Sequence, residues 1–190
     1  MEISSFLDRK LGRRFRTFDR DGDGFIQRKD FEHSASMMIE EFGHKPDSPA
    51  AQRLLSLSLG LWDHLATVAD ADDDGQISET EYKNAFAAGL LETPDSFDAA
   101  YRPFLEAIMG IADTDADGRL TEDDHVRWTG SLMGLPQADA REVFQRLDSD
   151  SDGLITTGDL LEAIREYYFD DDPASSGSWL LGPLDQQTTD

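Results

Sequence analysis

Carboxylates recur along this chain at a spacing suited to holding a metal ion. Four segments share the pattern Asp-x-Asp-x-Asp-Gly, with an aliphatic residue two positions after the glycine and another acid at the twelfth position. A hard divalent cation such as Ca²⁺ prefers oxygen ligands, and carboxylates at positions 1, 3 and 5 can surround one side of it. Glycine at position 6 accepts a positive φ, and the resulting sharp turn lets the carbonyl of position 7 point inward.

The repeated pattern predicts four metal-binding loops, at residues 19–30, 70–81, 113–124 and 148–159. In each loop the expected ligands are the side chains of positions 1, 3, 5 and 12 and the backbone carbonyl of position 7. They are Asp19, Asp21, Asp23, Phe25 and Asp30; Asp70, Asp72, Asp74, Gln76 and Glu81; Asp113, Asp115, Asp117, Arg119 and Asp124; and Asp148, Asp150, Asp152, Leu154 and Asp159. Because four complete matches are not expected by chance, we interpret the segments as EF-hand loops.

Position 12 distinguishes the loops from one another. The second loop ends in Glu81, whereas the others end in Asp30, Asp124 and Asp159, which are one methylene shorter. A glutamate there can reach the ion with both oxygens, and we expect an aspartate to supply one. Our hypothesis is that up to four Ca²⁺ ions bind, and that the Asp-ended loops bind Ca²⁺ more weakly and also accept Mg²⁺.

Apolar residues at helical spacing flank every loop and predict helices on both sides of it. The expected fold is all-α, with four helix–loop–helix units arranged as two pairs in a compact globule. Short antiparallel β-bridges should join the paired loops through the aliphatic residues of position 8, which are Ile26, Ile77, Leu120 and Ile155. Before the second loop, the expected core face of the helix consists of Leu54, Leu57, Leu61, Leu65 and Val68.

This organisation predicts three segments of the chain. Residues 1–92 should form the first pair, residues 93–169 the second pair, and residues 170–190 a tail. Thr93-Pro94 is expected to open the linker between the pairs, and Pro103 to start or kink the next helix. Within the tail, Trp179–Leu184 should dock into the hydrophobic cleft because its apolar side chains are costly to expose. Residues 185–190 are expected to be flexible.

The composition narrows the range of partners. Seventeen basic and 40 acidic residues give a net charge of −23, so nucleic acid and anionic lipid surfaces should be repelled. The chain has no cysteine, which excludes disulfide bonds and thiolate metal sites. Neither a signal peptide nor a membrane span is evident, so we expect a cytoplasmic protein. We also expect it to be a monomer. The sequence leaves open whether a protein target exists.

Loop starts at residues 19, 70, 113 and 148 are unevenly spaced, with the longest interval first. With extended helices expected around residues 31–42 and 49–69, this spacing resembles the sarcoplasmic calcium-binding protein family, which includes calexcitin and the calerythrin-type proteins. The tail segment Trp179-Leu180-Leu181-Gly182-Pro183 resembles the one with which that family closes its hydrophobic cleft. The resemblance implies a protein that buffers or transports calcium.

Three functions other than buffering fit this sequence less well. A calcium sensor would expose a groove to a protein target, and such grooves are often rich in methionine, whereas this chain has five. A coelenterazine photoprotein would need a large cavity lined by His, Trp and Tyr, and this chain lacks the C-terminal Pro of those proteins. An enzyme has little support, because no nucleotide-binding glycine loop or His-Glu-x-x-His motif occurs and the carboxylates are assigned to metal. We therefore assign no catalytic residue and expect His64 to be packed within its helix.

Overall fold

The computed structural model describes residues 4–88 and 94–184, apart from the side chains of residues 94–100. Its helices are α1 (Ser5–Phe18), α2 (Arg28–Glu41), α3 (Pro49–Ala69), α4 (Glu79–Ala87), α5 (Pro94–Ala112), α6 (Glu122–Met133), α7 (Gln137–Leu147) and α8 (Thr157–Phe169). The strands β1 (Phe25–Ile26), β2 (Ile77–Ser78), β3 (Arg119–Leu120) and β4 (Ile155–Thr156) each contain two residues. The predicted all-α class with four helix–loop–helix units is confirmed.

The strands join the loops in pairs, as the residues at position 8 predicted. Strand β1 is antiparallel to β2 with Ile26 opposite Ile77, and β3 is antiparallel to β4 with Leu120 opposite Ile155. All four of these side chains are fully buried. Each bridge therefore links two loops to each other and to the core beneath them.

The helices of the two pairs also pack across the molecule. Helix α2 contacts α6, and α3 contacts α5, in addition to the contacts within each pair. Aromatic residues after the loops take part in this core: Phe31, Tyr82, Trp128 and Tyr167 are all buried. Since one hydrophobic core spans both pairs, a change in one loop can reach the other pair through packed side chains.

Helix α3 buries a different face from the one the leucines suggested. Its buried residues are Ala51, Leu54, Ser58, Trp62, Leu65 and Ala69, whereas Leu57 and Leu61 are half-buried and Val68 is 45% exposed. The helix packs between α2 and α5, and this requires a broad contact that includes the small residues Ala51, Ser58 and Ala69. His64 is exposed, so its expected packing was wrong.

Proline marks helix starts in this chain. Pro49 occupies the first turn of α3, where its missing N–H costs no hydrogen bond. Pro94 likewise begins α5 instead of a linker, and Pro103 lies inside that helix instead of starting it. The predicted boundary between residues 92 and 93 falls within residues 89–93, outside the described part of the chain.

The tail turns back onto the helices after α8. A 3₁₀ turn at Gly177–Trp179 packs against α8, where a Cβ on Gly177 would collide with the Glu166 side chain and the Ala163 carbonyl. Leu180 and Leu181 are buried in the core. Trp179 is half-buried and lies 3.9 Å beneath the Arg146 guanidinium, measured from the ring centre. Residues 185–190 lie outside the described residues.

Candidate metal centres

Four clusters of carboxylates lie where the sequence predicted metal-binding loops. Ligand oxygens within each cluster lie within 4.8 Å of one another. The clusters are Asp19, Asp21 and Asp23; Asp70, Asp72 and Glu81; Asp113, Asp115 and Asp117; and Asp148, Asp150 and Asp152. Each cluster presents several anionic oxygens to one small volume, which is the donor set that Ca²⁺ and Mg²⁺ prefer.

A common set of hydrogen bonds shapes the four loops. In the first, Oδ1 of Asp19 accepts from the Asp23 N–H at 3.1 Å and Oδ2 accepts from the Gly24 N–H at 3.0 Å. The equivalent bonds recur in the other three loops. In each loop the carboxylate of position 5 also accepts from the N–H of position 7, whose residues are Phe25, Gln76, Arg119 and Leu154. The backbone thus orients the carboxylates of positions 1 and 5.

Glycine is required at position 6 by the backbone. Gly24, Gly75, Gly118 and Gly153 have φ between 81° and 89°, in the left-handed region that side chains disfavour. Position 4 is also left-handed in each loop, with Gly22 in the first loop and Asp73, Ala116 and Ser151 in the others. Three non-glycine residues therefore hold a strained conformation because the loop geometry demands it.

The acids of position 12 are fixed by the start of the following helix. Each belongs to a capping box, in which its side chain accepts from the backbone N–H of Gln27, Ser78, Thr121 or Thr156. Three of the residues at position 9 carry a hydroxyl, and each hydroxyl caps its helix by accepting from the backbone N–H of the position-12 acid. Capping therefore places every acid of position 12 in a helix first turn, beside its loop.

Only the glutamate of position 12 joins a carboxylate cluster. A carboxylate oxygen of Glu81 lies within 4.8 Å of oxygens from Asp70 and Asp72, whereas Asp74 is outside that cluster. Asp30, Asp124 and Asp159 belong to none of the clusters, and their carboxylates remain at the helix starts. The extra methylene of Glu81 extends its reach while Oε2 keeps the capping bond from the Ser78 N–H at 2.9 Å.

The acids of position 12 also differ electrostatically. Asp30 is 2% exposed, and this burial raises its pKa, although hydrogen bonds from the backbone of Gln27 and Arg20 act in the opposite direction. Hydrogen bonds from the Ser78 backbone and hydroxyl lower the pKa of Glu81. The surroundings of Glu81 therefore favour its ionised form, whereas the burial of Asp30 disfavours it.

A lysine inside the first loop is a feature that the sequence reasoning missed. Lys29 occupies position 11, and its ammonium lies 2.6 Å from Oδ2 of Asp21 and 3.0 Å from Oδ2 of Asp23. Its hydrogen bond lowers the pKa of Asp21, and both acids raise the pKa of Lys29. A cation at position 11 is visible in the sequence and could have signalled this competition with a bound metal.

Polar contacts connect the loops within each pair. The Gln27 amide donates to Asp23 Oδ2 and to the Gln76 side-chain oxygen, both at 3.1 Å. In the other pair, Arg119 lies 3.4 Å from Oδ2 of Asp152. Because these groups touch predicted ligands, binding in one loop can alter the neighbouring loop as well as its own helices.

Comparison with known proteins agrees with this geometry. Residues 8–87 match the model of the EF-hand domain pair family. The chain is 31% identical to calerythrin from Saccharopolyspora erythraea over 84% of this chain and 90% of that protein. It is 25% identical to the beta chain of a sarcoplasmic calcium-binding protein from Penaeus sp. over 88% of this chain and 90% of that protein. A Streptomyces coelicolor calcium-binding protein of known structure is 38% identical, with a TM-score of 0.76 over 85% of this chain and 97% of that chain.

Four paired EF-hand loops on an all-α core define an EF-hand calcium-binding protein. More narrowly, the chain belongs to the family of calerythrin and the sarcoplasmic calcium-binding proteins. The family resemblance inferred from loop spacing is confirmed.

Proposed function

We propose that the protein is a cytoplasmic, monomeric calcium buffer that holds up to four Ca²⁺ ions and has no catalytic activity. The observation that carries this proposal is the position of the tail. Leu180 is 7% exposed and Leu181 is 1% exposed, and both lie among the core residues of the helices. An EF-hand sensor needs an open apolar groove for its target, and here the chain's own residues occupy such a surface.

Contacts from both ends of the chain support a tail that stays in place. Nε of Arg13 donates to the Leu181 carbonyl at 2.7 Å, and the Gly177 N–H donates to Oε2 of Glu166 at 2.7 Å. The ammonium of Lys10 donates to the Asp170 carbonyl at 2.5 Å. These bonds anchor the tail to α1 and α8, so its release would cost several polar contacts in addition to two buried leucines.

The proposed metal ligands are the twenty residues assigned from the sequence. The carboxylate clusters support positions 1, 3 and 5 of three loops, and positions 1, 3 and 12 of the second loop. The other three loops have Asp30, Asp124 and Asp159 at position 12. Each of these acids reaches the ion fully only if the helix that follows its loop shifts toward the ion; otherwise it is a weaker ligand. We propose that these Asp-ended loops also bind Mg²⁺.

A calcium titration in millimolar Mg²⁺, followed by binding of a hydrophobic dye, tests buffering against sensing. A buffer should bind several Ca²⁺ ions while dye fluorescence changes little, because Leu180 and Leu181 remain buried. A matched Leu181→Ala variant should bind the dye and thereby show that the assay detects an open cleft. Strong calcium-dependent dye binding by the unaltered protein would instead identify a sensor.

The interior does not favour a coelenterazine-type photoprotein. A cavity between the helices of the two pairs measures about 60 Å³, and no histidine is among the described residues that line it. That volume holds only about four to six water molecules.

None of the helices in the described residues is both long and apolar enough to cross a membrane. The net charge of −23 further supports a protein without nucleic-acid partners.

A further inference from the structure

A cavity lies between the two pairs of EF-hands, bordered by α1, α2, α3, α5, α6, α8 and the tail. Most of its wall is apolar, with Phe31, Leu105 and Ile108 among the buried contributors. Leu180 and Leu181 of the tail complete the wall. A cavity with such a surface favours a ligand with an apolar body.

Three polar side chains on this wall have buried atoms without a protein hydrogen-bond partner. They are the Nε of Arg14, the indole Nε1 of Trp128 and the hydroxyl of Ser58. Arg14 belongs to α1, Ser58 to α3 and Trp128 to α6, so three separate helices bring them to one cavity. Buried donors of this kind usually have a partner, because an unpaired one has lost its hydrogen bonds to water without replacement.

The guanidinium of Arg14 is the most demanding of the three. It lies 4.2 Å above the Phe18 ring centre and 3.5 Å from the Met133 sulfur, both of which are weak partners for a full positive charge. Within the described residues, no carboxylate forms an ion pair with it. Arg14 as a whole is half-buried, but its Nε is enclosed without a partner. Because arginine stays charged in proteins, enclosing this N–H without a counter-ion is unfavourable. An anion in the cavity would supply the missing charge.

Asp30 is the only acidic residue among the described residues of the wall. Its Oδ2 accepts from the Gln27 N–H at 2.7 Å and its Oδ1 from the Arg20 N–H at 3.4 Å. Both oxygens therefore face the first loop, where Asp30 is also a proposed calcium ligand. Calcium in that loop would reduce the repulsion between Asp30 and an anion in the cavity.

We propose that this cavity is a binding site for a small apolar monocarboxylate, with its carboxylate on Arg14 and its body against the aromatic and aliphatic wall. The Trp128 indole N–H and the Ser58 hydroxyl are further donors for the same ligand. Guanidinium groups bind carboxylates through paired N–H donors, and an indole can only donate, so both select an acceptor. A cavity that holds about four to six waters fits a ligand about as large as benzoate. Among the described wall residues, the site shares only Asp30 with the metal loops, and the proposal does not depend on the buffering function.

Three isosteric probes test the charge requirement in the calcium-saturated protein. Benzoate, benzamide and benzamidine have similar shapes but are an anion, a neutral molecule and a cation. Calorimetry should show one benzoate per chain, bound at least about tenfold more tightly than either of the other probes. The indole N–H resonance of Trp128 should shift on saturation. No benzoate binding at millimolar concentration would mean that water alone fills the cavity. Equal binding of all three probes would mean that Arg14 does not select an anion. Either result would overturn the proposal.

Substitutions locate the site. Arg14→Met should weaken benzoate binding at least about tenfold while keeping much of the side-chain volume. Arg16→Met is the matched control, because Arg16 is exposed on the same helix and is not part of the cavity wall. Circular dichroism and calcium titration establish that each variant is folded. If Arg14→Met does not fold, Trp128→Phe provides the second test: it keeps an aromatic wall, removes the indole donor and should weaken benzoate severalfold. Unchanged benzoate affinity in a folded Arg14→Met protein, or in Trp128→Phe where Arg14→Met does not fold, would contradict the proposal.

Discussion

At the scale of single residues, side-chain length at position 12 decides which carboxylates can meet. Glu81 reaches a cluster with Asp70 and Asp72, whereas Asp159 remains at the start of its helix. The sequence predicted this inequality from one methylene group. It did not predict that all four acids would also be engaged in capping boxes, which couple each loop to its exiting helix.

Exchanging the acids of position 12 should exchange the properties of the loops. Glu81→Asp should weaken Ca²⁺ binding in the second loop by about tenfold and reduce its selectivity over Mg²⁺. Asp159→Glu should have the opposite effect in the fourth loop, because Asp159 is only half-buried and a longer side chain has room. Calorimetric titrations with and without Mg²⁺ measure both effects. Glu79→Asp in the same first turn is the control, and equal affinities in all variants would refute the assignment.

Lys29 should oppose metal binding in the first loop. Its ammonium pairs with both Asp21 and Asp23, and a bound cation must displace it or tolerate its charge. Lys29→Gln should therefore tighten Ca²⁺ binding in this loop by about threefold at low salt, with a smaller effect at high salt. Lys45→Gln, which alters an exposed lysine outside the loops, is the control. A loss of affinity in Lys29→Gln would show that the lysine organises the loop instead.

His125 should make the protein sensitive to acid. Its ring lies between Trp128 and Phe144, at centre distances of 5.5 and 5.7 Å, and burial lowers its pKa to about 3 from the ordinary 6.5. Below pH 6.5 the unfolded chain binds a proton that the folded chain does not, so stability present at neutral pH is lost as the pH falls. This residue alone should reduce the free energy of unfolding by about 1.4 kcal/mol per pH unit between those pKa values.

Urea titrations across this pH range measure the effect as a slope. His125→Phe keeps a ring in the aromatic cluster and should have a shallower dependence of unfolding free energy on pH than the unaltered protein. His64→Phe is the matched control, because His64 is exposed on α3. Identical slopes for all three proteins would show that His125 gains a proton as easily in the folded state as in the unfolded one.

At the scale of elements, the sequence predicted most features of the repeated helix–loop–helix units. It predicted few of the features that depend on packing between the two EF-hand pairs. Loop positions, helix caps and the pairing of Ile26 with Ile77 follow from local patterns. The buried face of α3 could not be deduced in this way, because leucines lie around much of that helix and its neighbours select the face. In the sequence, Arg14 likewise looks like an ordinary surface arginine. Its place on the cavity wall, beside residues of α6 and α8, depends on how the helices pack.

The tail behaves as an element of the core, and its removal should have a measurable cost. Leu181→Ala deletes a fully buried side chain and should lower the free energy of unfolding by about 2–4 kcal/mol in the calcium-bound protein. Leu184→Ala, at a half-buried position nearby, should cost less than about 1 kcal/mol. Chemical denaturation measures both. Equal small effects would mean that the tail contributes little to the stability of the folded protein.

At the scale of the whole molecule, calcium should determine how stable the fold is. The net charge of −23 would fall to −15 with four divalent ions, since each contributes two positive charges. Sixteen acids occupy positions 1, 3, 5 and 12 of the loops, and without metal they repel one another beside the bridges that join the pairs.

A chelator should therefore lower the melting temperature markedly, and the metal-free protein should lose part of its tertiary packing. Each site filled at a hundredfold excess over its dissociation constant contributes about 2.7 kcal/mol, so occupied loops outweigh most single substitutions. Added monovalent salt should restore part of the stability of the metal-free protein by screening the acids, and it should affect the calcium-bound protein less. Calorimetric melting in calcium, in chelator, and in chelator with salt separates these contributions. A melting temperature that does not respond to chelator would show that packing of the helices alone stabilises the core, and that metal binding in the loops does not contribute.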